Sequence, residues 1–172
     1  ELSGMNRNYM NDVVKAYGEM LDMAVQMDES VLDAAHLQKL IGEVSINGVA
    51  SSYAYLVDGQ GTMLYHPTAD KIGQPVENEV VKTLVADIRS GKIPKPDVVG
   101  YEFNGVIKYA AYYVGVNASY ILVISADEEE VFTVVDYILR KTGFTAILAL
   151  VFFGLLGLWI TGITVNPIHK IT

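Results

Sequence analysis

Tyrosine is the residue type of this chain with most potential to bind a small molecule. A buried phenol needs a hydrogen-bond partner, so several converging tyrosines would line a small polar cavity. Aromatic residues also favour strands and fill cores, and this plainer interpretation applies to half of the set or more. The strand-like stretches contain Tyr53, Tyr55, Tyr65, Tyr101, Tyr109, Tyr112, Tyr113 and Tyr120.

One histidine and two lysines could add charge and hydrogen bonding to such a cavity. His66 precedes Pro67 in a predicted loop, where it would either contact a ligand or serve as a turn residue that caps the loop. Lys71 lies further along the same loop, and Lys108 lies in a predicted strand. A lysine in a cavity of this kind favours an anion.

Catalytic chemistry is not indicated by the sequence. The chain has no cysteine, and it lacks the short motifs of serine hydrolases, zinc peptidases and phosphate-binding or dinucleotide-binding loops. The acidic run from Asp127 to Glu130 lacks the spacing of a calcium loop, so it predicts a solvated helix start and no metal site. We therefore expect neither enzymatic activity nor a cofactor.

Five predicted strands would position the candidate side chains. The turns at 58–61 and at Asn104-Gly105 are typical of hairpins. The apolar spacing between the second and third strands predicts a helix over 76–88. We expect an α+β fold with a five-stranded antiparallel sheet, its strands at 52–57, 62–65, 98–103, 106–114 and 119–125.

A long amphipathic helix is predicted at the start of the chain. It would either pack on the domain or act as a stalk that forms a dimer. Different turns of the helix could serve these two roles. A second helix, ending near Ile41, is predicted to begin with Ser30 as its cap and Asp33 three residues later. The apolar stripe of the first helix comprises Met5, Tyr9, Val13, Ala16, Tyr17, Met20, Ala24 and Met27.

Residues 142–165 contain no charged residue and predict a transmembrane helix. At about 1.5 Å per residue this stretch is about 36 Å long, enough to cross a hydrocarbon core of about 30 Å. Arg140-Lys141 precede it, and Trp159 lies towards its far end, where an indole suits the headgroup region. The predicted organisation is a domain over 1–141, a span over 142–165 and the start of a linker over 166–172.

The charge of the chain is concentrated before the predicted span. All twenty acidic residues precede Thr142, as do all lysines and arginines except Lys170. An acidic domain without a basic cluster argues against nucleic acid as a partner. Arg140 and Lys141 outnumber Lys170, which would place the large domain in the cytoplasm. Because the chain starts at Glu1 without an initiator methionine, we expect an upstream segment to decide the topology instead.

Several strings of the chain resemble Cache domains, which are extracytoplasmic PAS-like sensor modules of bacterial chemoreceptors and sensor kinases. The resemblance lies in YAYLVDGQGTMLYHP at 53–67, in Ile72-Gly73, in YEFNG at 101–105 and in YILVI at 120–124. One such unit between a long helix and a membrane helix resembles the single-Cache type. Residues 167–172, PIHKIT, resemble the start of a HAMP linker.

This resemblance implies a chemoreceptor or related receptor in the cell membrane, with the sensor domain outside the cytoplasm. The apolar stripe of the N-terminal helix is longer than a domain of this size needs, and it predicts a homodimer through that helix. Single-Cache relatives commonly bind small carboxylates in a pocket over the sheet, so we expect a short organic acid paired with Lys108 or Lys71. The Tyr, Arg and Trp run of amino-acid-binding relatives is not matched. The predicted ligand-binding residues are Tyr53, Tyr55, Tyr65, His66, Lys71, Tyr101, Lys108 and Tyr112.

Two other functions fit the same sequence. The domain could be the input module of a sensor histidine kinase or cyclase, or it could be a membrane-anchored scaffold with a packed core and no ligand. The sequence after residue 172 would distinguish a receptor from a scaffold.

Overall fold

The computed structural model describes residues 4–165. The chain divides into two compact units, one ending at Thr133 and the other beginning at Val134. The helices are α1 (Gly4–Met27), α2 (Ala34–Ile41), α3 (Glu79–Arg89) and α4 (Glu128–Val165). The strands are β1 (Tyr53–Asp58), β2 (Met63–Tyr65), β3 (Asp97–Phe103), β4 (Val106–Val114) and β5 (Tyr120–Asp127).

Within residues 4–165, the five strands form one antiparallel sheet in the order β2-β1-β5-β4-β3. The Asn104-Gly105 turn joins β3 to β4, and both residues have the positive φ that a tight hairpin turn requires, 52° and 78°. With the long N-terminal helix and the apolar C-terminal helix, this arrangement confirms the predicted α+β, PAS-like fold.

The two faces of the sheet carry different layers. Tyr55, Val123 and Tyr112 are cross-strand partners, so they share one face, and they pack with Leu84 and Val85 of α3. The opposite face contacts α1, which packs mainly on β4. Residues buried on that side of the core include Met10, Val14, Leu21, Leu56, Leu122 and Ile124.

Asp22 fixes α1 to the β4–β5 hairpin. Its carboxylate accepts hydrogen bonds from the hydroxyls of Tyr113 and Tyr120 and from the backbone N–H of Val116, each at 2.7 Å. Burial, together with the Asp22 carboxylate, raises the pKa of Tyr113 to about 12, so the phenol remains a donor across the physiological range. Tyr120 also donates to the carbonyl of Gly18 at 3.0 Å.

Gly18 is required by the close approach of α1 to Tyr113. A Cβ at position 18 would lie 2.3 Å from Cγ of the Tyr113 ring. Glycine to alanine normally stabilises a helix interior by about 1 kcal/mol. Here we expect Gly18→Ala to lower the free energy of unfolding by about 1–3 kcal/mol through overpacking.

Urea unfolding of the detergent-solubilised chain, followed by tyrosine near-UV circular dichroism, measures this effect. In a Tyr113→Ala background, which removes the clashing ring, the same change should become neutral or stabilising. Equal destabilisation in both backgrounds would contradict the contact.

The side of α1 that packs on the domain differs from the predicted stripe. Met10, Val14, Leu21 and Val25 are buried, whereas Tyr9 is 45% exposed and Met27 is 88% exposed. At 100° per residue, the predicted stripe is centred about 110° around the helix from the buried face. The helix therefore has two apolar faces, of which the core uses one.

Two predicted helix starts were wrong. Ser30 does not cap α2; Asp33 does, and its Oδ1 accepts the N–H groups of Ala35 and His36 at 2.9 Å. A carboxylate held at the N-cap is closer to the first free N–H groups than Ser30 would be, because residues 29–32 form a separate 3₁₀ turn. α3 begins at Glu79 instead of Val76, because Asn78 caps it.

Part of α4 is long and apolar enough to cross a membrane. This part, Arg140–Ile160, has a mean hydropathy of 2.3, and none of it is buried inside the structure. It lies largely within the predicted span. The predicted linker at 166–172 lies outside the described residues.

Candidate ligand-binding site

A small cavity lies over the face of the sheet that α3 also covers. Its wall on one side is the β2–α3 segment, residues 66–78. The cavity has a volume of about 30 Å³, which accommodates about two water molecules. The lining residues are Tyr53, Tyr55, Met63, His66, Lys71, Val76, Glu77, Asn78, Tyr101 and Phe103.

The backbone of the β2–α3 segment is held against β2. Gly73 donates its N–H to the carbonyl of Met63 at 2.8 Å, and Met63 donates to Gln74 at 2.9 Å. Gly73 has a φ of 80°, which L side chains rarely adopt, so glycine permits this return of the chain. The segment is therefore an ordered wall of the cavity.

Asn78 links this wall to the sheet. Its Oδ1 caps α3 by accepting the N–H of Val80 at 2.8 Å, while its Nδ2 donates to the hydroxyl of Tyr55 at 3.1 Å. Burial raises the pKa of Tyr55 well above its usual value, so the phenol is neutral. Because this hydroxyl accepts from Asn78, its proton is free to be donated elsewhere.

His66 is a neutral hydrogen-bond donor in this arrangement. Its Nδ1 lies 2.9 Å from the backbone N–H of Thr68 and must accept from it, which leaves the ring proton on Nε2. Burial and the nearby charge of Lys71 lower the pKa of His66. The ring centroid lies 5.3 Å from that of Tyr53 and 5.8 Å from that of Tyr55.

The lowered pKa of His66 predicts a specific acid sensitivity. The unfolded chain takes up the His66 proton near pH 6.5, whereas the folded chain does so only at lower pH. Stability should therefore fall as pH drops below about 6.5 and level off below the folded-state pKa. His66→Asn keeps an acceptor for the Thr68 N–H as an Asx turn and removes the titration.

Urea unfolding of both proteins between pH 8 and pH 5 tests this sensitivity. The wild-type chain should lose more stability than His66→Asn over that interval. Parallel curves would show that His66 has an ordinary pKa.

Tyr101 and Ser125 extend the polar lining into the sheet. Their hydroxyl oxygens lie 2.9 Å apart, and Ser125 is fully buried. Burial raises the pKa of Tyr101. Among the hydrogen bonds made within residues 4–165, none involves the hydroxyl of Tyr53. Tyr53 can therefore offer both a donor and an acceptor to a molecule in the cavity.

Lys71 is the cationic side chain among the described residues that line the cavity. Its Nζ lies 3.2 Å from Oε2 of Glu77 and 5.6 Å from the centroid of the Phe103 ring. The Lys71 side chain is 40% exposed and that of Glu77 is 67% exposed. The ammonium thus lies at the mouth, between the cavity and solvent.

Five of the eight predicted site residues line this cavity, and three do not. Tyr65 lies on the opposite face, where its hydroxyl donates to Gln38 of α2 at 3.1 Å. Lys108 forms a close ion pair with Asp127, and Tyr112 packs beneath α3 in the core. The binding role of Tyr53, Tyr55, His66, Lys71 and Tyr101 stays a prediction.

The sequence reading missed five lining residues, which are Met63, Val76, Glu77, Asn78 and Phe103. Asn78 followed by Glu79 before an apolar run is a capping signal that would have moved the start of α3. With α3 starting at Glu79, Val76 and Glu77 would have been assigned to the segment that forms the wall of the cavity. Nothing in the sequence marks Phe103, which reaches the cavity through the register of β3 on β4.

The acidic run at the start of α4 is tied to the domain, contrary to the solvated start that the sequence predicted. Tyr109 donates to Glu128, and the N–H of Ser51 donates to Glu130 at 2.8 Å. Asp127 pairs with Lys108. Among the described residues, no group of three or more His, Asp or Glu could hold a metal ion.

Neither a protein-family model nor a curated protein matches the sequence. Solved structures do match, with identities of about one fifth. The extracellular domain of the proposed histidine kinase mmHK1S-Z3 has 20% identity and a TM-score of 0.48, and it covers 59% of this chain. The ligand-binding domain of Mlp24 with asparagine has 18% identity, a TM-score of 0.44 and the same coverage.

A third similar structure is the ligand-binding domain of the Pseudomonas aeruginosa PAO1 chemoreceptor PctB with L-Arg, with 18% identity, a TM-score of 0.42 and coverage of 63% of this chain. The chain spans only 38–40% of the length of these three domains.

Proposed function

We propose that this chain is the extracytoplasmic ligand-binding sensor of a transmembrane receptor, and that its ligand is a short organic acid. The observation that carries the proposal is the cavity, in which neutral tyrosine and histidine donors surround a space with one lysine at its mouth. Such a donor set matches a carboxylate, which only accepts hydrogen bonds when ionised.

Different lining residues would pair with the charge of the ligand and fix its orientation. Lys71 would pair with the carboxylate as a charge-assisted contact. The Nε2–H of His66 and the hydroxyl of Tyr53 would fix its direction. The apolar side chains of Met63 and Val76 suit a short alkyl group.

The size of the cavity limits the ligand to a few heavy atoms. A volume of about 30 Å³ holds about two waters, which an acid of two or three carbons would displace. Larger ligands would need more room than the cavity provides. We propose binding without catalysis; burial raises the pKa of Tyr55 and of Tyr101, so neither of these two side chains supplies a phenolate nucleophile.

The route from the cavity to α4 runs through β5. Ser125, in contact with Tyr101 at the cavity, lies two residues before Asp127, which pairs with Lys108. Glu128 and Glu130 then fasten the first turn of α4. A ligand that shifts Tyr101 would therefore act on the strand that leads into the predicted membrane helix.

Membrane anchorage and orientation belong to the same proposal. Arg140–Ile160 supplies the span by length and composition. A sensor of small external molecules has to face outwards, so we place the domain before this span outside the cytoplasm.

We further propose that two copies associate through the second apolar face of α1, and we expect crosslinks to follow it. This face carries Tyr9, Val13, Ala16 and Met20, which the core leaves exposed or half-buried. A weak dimer suffices in a membrane, because tethering raises the effective concentration. Single cysteines on this face should crosslink in membranes, and the chain contributes no background because it has no cysteine.

Cysteines on the polar face, at Asp12, Lys15 and Glu19, are the matched controls and should crosslink weakly. Equal crosslinking around the helix, or crosslinking only on the polar face, would contradict this interface.

A screen of ligands tests the function itself. The full chain in detergent should gain thermal stability with acetate or propionate, since a ligand that binds only the folded state stabilises it. The gain should disappear in Tyr53→Phe and Lys71→Met. Selective stabilisation by amines or by amino acids, or acid binding that persists in both variants, would contradict the proposal.

A ligand-free scaffold is the second candidate, and one observation favours it. The cavity is small, and its lysine is already paired with Glu77, as in a packed domain that binds nothing. If no acid, amine or amino acid in the screen raises the thermal stability of the chain, this result would support the scaffold.

A further inference from the structure

We propose that Glu77 competes with the ligand for Lys71 and makes the site selective for monocarboxylates over dicarboxylates. This inference rests on the proposed function, because it concerns the same cavity. Its starting point is that Lys71 and Glu77 both line the cavity and lie 3.2 Å apart. The empty site therefore already contains a carboxylate on its lysine.

The ion pair is weak enough to exchange. Both side chains are well exposed, 40% for Lys71 and 67% for Glu77, and exposed pairs contribute only about 0–1 kcal/mol. Glu77 can return to solvent without becoming a buried unpaired charge. A ligand carboxylate can thus replace Glu77 on Lys71 at a small cost in free energy. This cost lowers the affinity for the ligand but does not prevent binding.

The displaced carboxylate remains near the site because its backbone is fixed. Glu77 directly precedes Asn78, whose side chain is held by Val80 and Tyr55. The Glu77 charge consequently stays at the mouth after a ligand binds. A second carboxylate on the ligand would face this like charge, and among the charged lining residues described here no second cation offsets it.

Lys82 and Asp70 lie outside the cavity, in the groove next to its mouth. Lys82 is paired with Glu79 at 2.7 Å. Lys82 does not line the cavity, whereas Glu77 does, so Glu77 is the charge that the second carboxylate of a bound ligand meets there. Charge selectivity at the mouth accordingly depends on Glu77.

Calorimetric titration of the full chain in nanodiscs with acetate and with malonate tests the inference. Glu77→Gln keeps the shape and removes the charge. We expect it to tighten acetate binding by about fivefold, the equivalent of about 1 kcal/mol, and to tighten malonate binding by a larger factor. Glu43→Gln is the control, since Glu43 is exposed and lines neither the cavity nor the groove next to its mouth, and it should leave both affinities unchanged.

Each outcome separates the inference from the function on which it rests. Acetate binding by the wild type that is unchanged or weaker in Glu77→Gln overturns the role of Glu77 and leaves the proposed function standing. Acetate binding seen only in Glu77→Gln supports competition. An absence of carboxylate binding in both proteins overturns the inference and the proposed function together.

Discussion

Replacing Asp22 by alanine should lower the free energy of unfolding by about 3–5 kcal/mol. The carboxylate accepts three hydrogen bonds at 2.7 Å, from Tyr113, Tyr120 and Val116. Hydrogen bonds to charged groups contribute about 1.5–3 kcal/mol each, and donors left without a partner add to the loss. Since domains of this size have a stability of about 5–15 kcal/mol, much of the sensor's stability depends on this one side chain.

Urea unfolding of the detergent-solubilised chain, followed by tyrosine near-UV circular dichroism, gives the number. Asp12→Ala on the exposed side of the same helix is the control and should change stability by less than about 0.5 kcal/mol. Similar small effects of the two variants would mean that α1 is not held to the hairpin through Asp22.

Replacing Lys71 by methionine should weaken acetate binding by about tenfold to a hundredfold. Methionine keeps most of the length of the side chain but removes the ammonium, which pairs with the ligand and lies 5.6 Å from the centroid of the Phe103 ring. A charge-assisted contact of about 1.5–3 kcal/mol corresponds to this range. Calorimetry on the full chain in nanodiscs measures it.

Lys82→Met is the matched control for this variant. Lys82 lies outside the cavity and pairs with Glu79, so its loss should leave acetate affinity unchanged. If Lys82→Met weakened acetate binding as much as Lys71→Met, the effect would come from the overall field of the domain, and Lys71 would have no direct role.

The fold followed from local signals that agree with one another. Stretches rich in aromatic and β-branched residues, bounded by turns such as Asn104-Gly105, predicted the strands, and the charge-free run predicted the apolar helix. Helical spacing predicted α1 but not which of its sides is buried, because two apolar stripes run along the helix. One stripe includes Tyr9, and the other includes Met10. Which stripe packs is decided by the sheet, which lies far away in the sequence.

The site was predictable where neighbours in the chain decide the geometry. Tyr53, Tyr55 and His66 come together because β1 and β2 form a local pair. Tyr65 does not line the cavity, because the register between β1 and β2 shifts at Leu56 and Val57 and sends this ring to the other face.

The lysine of the site depended on contacts that are distant in sequence. From the sequence alone, Lys108 and Lys71 were equally good candidates for the lysine that pairs with the ligand. The β4–β5 register places Asp127 opposite Lys108. No local pattern contains this pairing. Lys71 remains at the mouth because its partner, Glu77, comes from the same segment.

We expect a small acid to bind between the sheet and the β2–α3 segment. Nuclear Overhauser effects between the methyl group of acetate and the aromatic protons of the full chain in nanodiscs test this claim most directly. We expect contacts to the rings of Tyr53, Tyr55 and His66, and their loss in Lys71→Met. Acetate that binds but contacts only residues outside this cavity, or that shows no contact at all, would contradict the account.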